Sequence, residues 1–243
     1  MPKKKQNKTL EPQQARSRES LQKLLKAATE VLGQHGVEGA TIPRIARHAG
    51  LTPGSVYRRF QNKEALLETA ILGLLERQQE RLKTMTPEIA RQIPFPVLVE
   101  QIINGQVLGY RHMAPLLRAI RQFVRPRVHT PFGKKVARLE LHTYKELMNL
   151  FLTHEDRINH PDPKTAVSMA MIMLISTVFE LVVAHEDLTS WKGLIPKDDE
   201  ALKKELLRAF LSYLGVKEPP GAAGKMEAET IAAVNRWRER TSS

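Results

Sequence analysis

Residues Thr41 to Phe60 read TIPRIARHAGLTPGSVYRRF. Two short apolar-periodic segments lie on either side of Ala49-Gly50-Leu51. Each opens with a threonine suited to cap a helix, and each carries a proline in its first turn, where the missing N–H costs little. Ile42, Ile45, Ala46 and Ala49 fall on one face of the first segment. Val56 and Phe60, four apart, share a face of the second. Helices this short are marginal alone in water and persist only when packed on neighbours. Two neighbours are at hand. Leu21, Leu24, Leu25, Ala28, Val31 and Leu32 give the preceding helix an apolar face, with Ser17 or Ser20 as its cap and Gly36 as its stop. Asn62 opens a following helix that carries Leu66, Leu67, Ile71, Leu74 and Leu75. The expected unit is a three-helix helix-turn-helix with glycine in the turn. In such a unit the second short helix enters the DNA major groove and the first crosses the backbone.

The polar face of the second short helix fits that task. Thr52, Ser55, Arg58 and Arg59 point away from Val56 and Phe60, and Tyr57 lies at the flank. Hydroxyls suit phosphate oxygens, and arginine suits a phosphate or a guanine edge. Gly54 has no side chain to hold DNA off. Lys63 opens the next helix, where its ammonium and the free backbone N–H groups together suit a phosphate. The same spacing also describes a plain helical hairpin with a solvated charged face.

The stretch GATIPRIARHAGLTPGSVYRRFQNKEALLETAI, residues 39–71, resembles the DNA-binding domain of TetR-family transcriptional regulators. The matching positions are Thr41, Ile45, Ala46, Ala49-Gly50-Leu51, Gly54, Tyr57, Phe60 and Lys63-Glu64, preceded by AATEVLGQHGVEGAT. The likeness covers about residues 17–83. It implies an all-helical homodimer whose C-terminal domain binds an effector and dimerises, with ligand usually lowering DNA affinity. By position it implies a phosphate-contacting cap at Thr41 and a base or phosphate contact at Arg44. It also implies a groove-facing set at Pro53, Gly54, Ser55, Tyr57 and Arg58, and a phosphate anchor at Lys63. Pro43 stands where a polar residue is common, removing one contact. Arg59 stands where an aromatic or histidine is common, making contact there more electrostatic.

Composition agrees with a nucleic-acid partner. The 243 residues carry a formal net charge of +12. Residues 1–63 hold thirteen Lys and Arg against four Glu, so most of the surplus sits beside the helix-turn-helix. The absence of cysteine excludes disulfides, thiolate zinc sites and cysteine nucleophiles. Residues 1–20 lack an apolar signal-peptide core, and the expected location is the cytoplasm. The apolar run 166–183 is interrupted by Ser168, Ser176, Thr177 and Glu180, so it reads as a buried core or interface helix rather than a membrane span.

Four regions are expected: a basic arm at 1–16, the helix-turn-helix domain at 17–83 with its shared long helix 63–83, a helical effector-binding and dimerisation domain at 84–215, and a linker with a C-terminal tail at 216–243. The arm is either a solvated tail or a DNA contact. The tail is either a short amphipathic helix or frayed. Helices are expected near 97–112, 114–124, 133–154, 163–186 and 198–214, with no strand and no repeat. Asn104, Tyr110, His112, Arg118 and Phe123 mix polar and apolar character, as an effector pocket does and as any half-buried helix does. Leu147, Phe151, Met169, Ile172, Met173 and Phe179 are the expected dimer interface of a four-helix contact. His154-Glu155-Asp156 with His160, and His185-Glu186-Asp187, lack the His-Glu-x-x-His spacing that puts two imidazoles on one helix face. No metal, cofactor or enzymatic activity is expected. The reading is an all-α, ligand-responsive repressor that binds an inverted-repeat operator in double-stranded DNA as a homodimer, its small-molecule effector unidentified. The alternative is an architectural or partner-regulated DNA-binding protein without an effector.

Overall fold

The computed structural model describes residues 10–184 and 193–216. In chain order its helices are α1 (Leu10–Gly39), α2 (Ile42–His48), α3 (Pro53–Tyr57), α4 (Lys63–Leu82), α5 (Pro87–Gln92), α6 (Phe95–Val124), α7 (Pro131–Leu152), α8 (Pro163–Val178) and α9 (Asp199–Tyr213). Short 3₁₀ turns at Arg125–Arg127 and Glu155–Arg157 follow α6 and α7, and a π turn at Phe179–Ala184 follows α8. There is no strand among the described residues.

Side-chain caps set most of the helix starts. Thr52, Asn62, Thr86, Thr130, Asp162 and Asp198 each accept a hydrogen bond from the backbone N–H three residues on. Gly50 (φ 68°) ends α2. There the Leu51 N–H donates to the Ala46 carbonyl at 2.8 Å, a Schellman closure that only a left-handed residue allows without strain. Gly36 (φ 67°) breaks α1 in the same way, and residues 37–39 turn off its end. α1 begins at Leu10, inside the stretch expected to be a free arm, so neither Ser17 nor Ser20 caps it. The rest of the arm, the tail beyond residue 216 and His185-Glu186-Asp187 lie outside the described residues.

Two apolar cores form. The smaller joins α1 to α4 through Leu24, Leu32, Ile45, Val56, Leu66 and Ile71. The larger joins α5 to α9 around Phe95, Phe151, Val167, Leu174 and Phe210, with Phe151 edge-on to Phe95 at 6.3 Å. α6 belongs to both. Its residues from Phe95 to Ala114 lie in the larger core, and Ala119 and Phe123 lie in the smaller. Two helices were expected here, yet one runs through Pro115. The proline deletes one backbone hydrogen bond, but Ala114 before it is buried and Leu116 after it packs on the smaller core, so tertiary packing carries the helix across.

The 163–184 segment is long and apolar enough to cross a membrane by composition. In the fold, Ala166, Val167, Ala170, Met171, Leu174 and Val178 line the larger core, which makes it a core helix.

The corner between α6 and α7 is tight at one residue. A Cβ on Gly133 would overlap the Arg127 carbonyl oxygen and stand 2.7 Å from the Val128 Cα, backbone atoms that cannot swing aside. Gly133→Ala is therefore expected to lower stability by about 3 kcal/mol through overpacking, read as a fall in the urea midpoint. An unchanged midpoint would show that the corner opens at no cost.

Candidate nucleic-acid interface

Each short helix turns an apolar edge inward and leaves the rest to solvent. Ile42, Ile45, Ala46 and Val56 are buried, while Thr41, Arg44, Arg47, Thr52, Pro53, Gly54, Tyr57, Arg58 and Arg59 are exposed. Ser55 and Lys63 are half-buried. Tyr57, a large aromatic that a monomer gains nothing by showing to water, is 56% exposed. No carboxylate occurs between Thr41 and Lys63. Of the nearby acids, Glu30 is paired with the His48 ring at 2.8 Å. The face is therefore uniformly cationic and presents hydroxyls beside the charges.

The local hydrogen bonds sort these residues. The Thr52 hydroxyl accepts from the Ser55 N–H at 3.3 Å, and the Ser55 hydroxyl donates to the Thr52 carbonyl at 2.7 Å, which fixes the first turn of α3. Thr41 occupies the cap position of α2 but makes no side-chain cap bond, so its hydroxyl is not committed to the helix start. Arg59 stays exposed, as expected, and donates to the Ser17 carbonyl and hydroxyl at 3.1 and 3.3 Å, clasping α1. Arg44 donates from Nη1 to the Gly39 carbonyl at 2.7 Å, and the Lys63 ammonium donates to the Val37 carbonyl at 3.1 Å. Arg47 and Arg58 have no partner among the described residues. Arg47 is absent from the expected set although it stands three residues from Arg44. That i, i+3 spacing on the exposed edge of α2 was the signal for it.

The C-terminal expectations divide. Phe123 is 1% exposed and packs in the smaller core, its ring edge-on to Phe132 at 5.9 Å with the Arg127 guanidinium 3.9 Å over it. It cannot line a cavity of the larger core. Arg118 donates to the Val183 carbonyl at 3.1 Å across α6 and the π turn, and His112 is exposed. Asn104 and Tyr110 are half-buried. Burial, with Tyr144 and Glu140 nearby, pushes the Tyr110 hydroxyl well above the usual phenol range, so it stays a neutral donor. A cleft of about 840 Å³ opens elsewhere, between the α5–α6 junction and the end of α7, lined by Arg91, Phe95, His154 and Arg157 among others. None of the five expected pocket residues lines it.

Of the expected interface residues, Leu147 and Phe151 are buried within the chain's own larger core and are not available to a partner. They face inward because α7 lays that edge on α6, α8 and α9. Phe179 is half-buried under the Arg121 guanidinium at 4.4 Å. Met169, Ile172 and Met173 are exposed, with Ser176 one turn on, along a single edge of α8. His154 is buried, and its Nε2 donates to the Ala90 carbonyl at 3.0 Å, a structural role. No three His, Asp or Glu side chains converge as a metal site among the described residues.

Comparison with known proteins gives a consistent result. Residues 24–70 match the model of bacterial regulatory proteins of the tetR family. The chain is 32% identical over 219 residues to the HTH-type transcriptional regulator SrpR of Pseudomonas putida, an alignment covering 85% of this chain and 89% of that protein. SmeT, the repressor of the Stenotrophomonas maltophilia multidrug efflux pump SmeDEF, shares the fold with a TM-score of 0.55 at 19% identity, over 85% of this chain and 95% of that one. FadR of Bacillus subtilis, solved with stearoyl-CoA, shares it with a TM-score of 0.55 at 20% identity, over 79% and 98%.

Proposed function

Because the chain belongs to the TetR family of helix-turn-helix transcriptional regulators, we propose that it is a cytoplasmic, ligand-responsive repressor that binds an inverted-repeat operator as a homodimer. The observation that carries the DNA-binding part is the exposure of Thr41, Arg44, Arg47, Thr52, Gly54, Tyr57 and Arg58 on and beside two short helices whose apolar residues are buried. Tyr57 ends α3, the helix that enters the groove, and Arg58 follows as its C-cap; both read bases or the adjacent backbone. Thr41, Arg44 and Lys63 hold phosphates on either side.

A two-fold dimer places two such faces about one DNA turn or somewhat more apart, which calls for an inverted repeat. The exposed edge of α8 at Met169, Ile172 and Met173 supports a self-complementary contact there. We place the effector in the α6–α7 region beside Asn104 and Tyr110, where the Tyr110 hydroxyl stands near Tyr144 and Glu140 against the larger core. The fold it shares with FadR of Bacillus subtilis is one that holds stearoyl-CoA in that protein, which favours an effector with a long apolar body.

Selection of binding sites from random double-stranded DNA tests the reading. An enriched inverted repeat is the expected result. Salt-sensitive binding without an enriched sequence would overturn it. On the selected duplex, Tyr57→Ala and Lys63→Ala are each expected to weaken binding by about tenfold or more with the helical circular dichroism unchanged. Affinity within twofold of wild type for either variant would remove that residue from the interface.

A further inference from the structure

Two of the cations facing the DNA are held by one short piece of backbone. The last turn of α1 contains no basic residue of its own to meet its terminal carbonyls. Gly36, in the left-handed region, turns residues 37–39 off the helix end. The Val37 carbonyl then receives the Lys63 ammonium at 3.1 Å, and the Gly39 carbonyl receives the Arg44 guanidinium at 2.7 Å. Lys63 comes from the start of α4 and Arg44 from α2, so two separate elements deliver their charge to the same three residues. The negative end of the α1 dipole favours both. Neither cation is used up. A guanidinium has five donors and an ammonium three, so each keeps donors for a phosphate oxygen.

The third residue of the piece ties it to the rest of the protein. Glu38 accepts a hydrogen bond from the Gln122 side chain at 3.3 Å, near the C-terminal end of α6. One turn earlier, a Cβ on Gly33 would stand 3.1 Å from the Leu116 Cβ, so α6 and α1 are already in close contact there. At Gly39 a Cβ would stand 2.7 Å from the His35 Cβ and 3.1 Å from the Arg44 Nη1. A side chain at this position therefore overlaps His35 first and also presses on the guanidinium that the Gly39 carbonyl orients.

We infer that the Val37–Gly39 backbone is a positioning shelf for DNA binding: its carbonyls set Arg44 and Lys63 in the pose that meets the operator backbone, and the missing side chain of Gly39 leaves room for both His35 and the Arg44 guanidinium against it. This rests on the proposed role of Arg44 at the DNA. The shelf acts through geometry and leaves the number of charges at the interface unchanged, which separates it from a general electrostatic effect.

The test measures affinity for the selected operator duplex across a salt series, for Arg44→Ala, Arg44→Lys, Gly39→Ala and the double variant Gly39→Ala/Arg44→Ala. Arg44→Ala is expected to lose about tenfold and to make the salt slope shallower by about one per half-site. If it stays within twofold of wild type, the DNA role of Arg44 fails before the shelf is reached. With that loss in hand, Arg44→Lys is expected to keep the wild-type salt slope but to recover less than half of the lost affinity on a logarithmic scale. Gly39→Ala is expected to cost about tenfold in the wild-type background and at least about threefold less in the Arg44→Ala background, where only the His35 overlap remains. Full rescue by lysine, or an equal Gly39→Ala penalty in both backgrounds, would overturn the shelf. If Gly39→Ala proves unfolded by circular dichroism, the lysine variant decides alone.

Discussion

Operator affinity is expected to fall by about 10³ to 10⁴-fold between 50 and 200 mM monovalent salt. The figure comes from the cations on the exposed face. Arg44, Arg47, Arg58 and Lys63 stand on each protomer without a carboxylate among them; Arg59 is left out of the count because both of its terminal nitrogens donate to Ser17, whereas Arg44 and Lys63 each make a single bond to a carbonyl. A dimer then brings about six to eight cations to phosphates, depending on whether Arg58 reads a base edge. Each phosphate neutralised releases condensed counterions and contributes about −0.9 to the slope of log K against log salt. The expected slope is about −5 to −7. Fluorescence anisotropy on the selected duplex at four or five salt concentrations measures it. A slope shallower than about −2 would mean that these arginines do not meet the backbone and that the exposed face is only a solvated one. The single variants sharpen the count. Arg47→Ala and Arg58→Ala should each reduce the slope if the residue contacts phosphate. Arg58→Ala should leave the slope nearly intact but relax the selected sequence if it contacts a guanine edge.

Much of the DNA-facing half was readable from residue types because its signals are local. Threonine and asparagine caps, prolines in first turns, Gly50 in the αL turn and the i, i+4 pair Val56–Phe60 all act within one or two turns of chain. A sequence shows such things directly. What it could not show was where the cations point. Arg59 has the same residue type and neighbourhood as Arg58, yet it reaches back 42 residues to Ser17, and only the packing of α1 against the end of α3 decides that. The carbonyls of Val37 and Gly39 are likewise invisible as acceptors in a string of side chains.

The C-terminal half was less legible for a related reason. An apolar helix there has two ways to bury itself, in its own core or against a second copy, and periodicity alone does not choose. Leu147 and Phe151 went to the chain's own core because α9 returns to cover them, with Phe210 5.1 Å from the Phe151 ring. Phe123 went to the smaller core because α6 runs unbroken past Pro115 and carries its last turns across to α1. In both places the apolar positions were legible without their partners, since the partner comes from an element far away in the chain.

If the copies pair as proposed, Ile172→Asp is expected to convert the proposed dimer into a monomer and to abolish high-affinity operator binding without unfolding the chain. Ile172 is the best probe of the α8 edge because it is 56% exposed in the single chain, between Met169 and Met173. A carboxylate there faces water in the monomer and costs the fold little. Phe179 lacks that separation: it is half-buried beneath Arg121, so a charge at that position would disturb the junction of α6 with the π turn as well as any partner contact. In a two-fold contact the substitution enters twice. Each copy then buries an unpaired carboxylate against methionines at about 3 kcal/mol or more. A total of about 6 kcal/mol raises the dimer dissociation constant by more than 10⁴-fold. Sedimentation at micromolar protein should show a species of one-chain mass, and the urea midpoint measured for that monomer reports whether its fold is intact. Loss of the dimer also removes the second probe helix. Binding to the inverted repeat should then drop to that of one half-site, with the salt slope roughly halved because half the phosphate contacts are gone. A variant that remains a two-chain species with unchanged operator affinity would show that the exposed methionine edge is not where the copies meet. The halved slope matters as a control, since it separates a lost partner from a damaged DNA face, which would lower affinity without halving the contacts in each remaining copy.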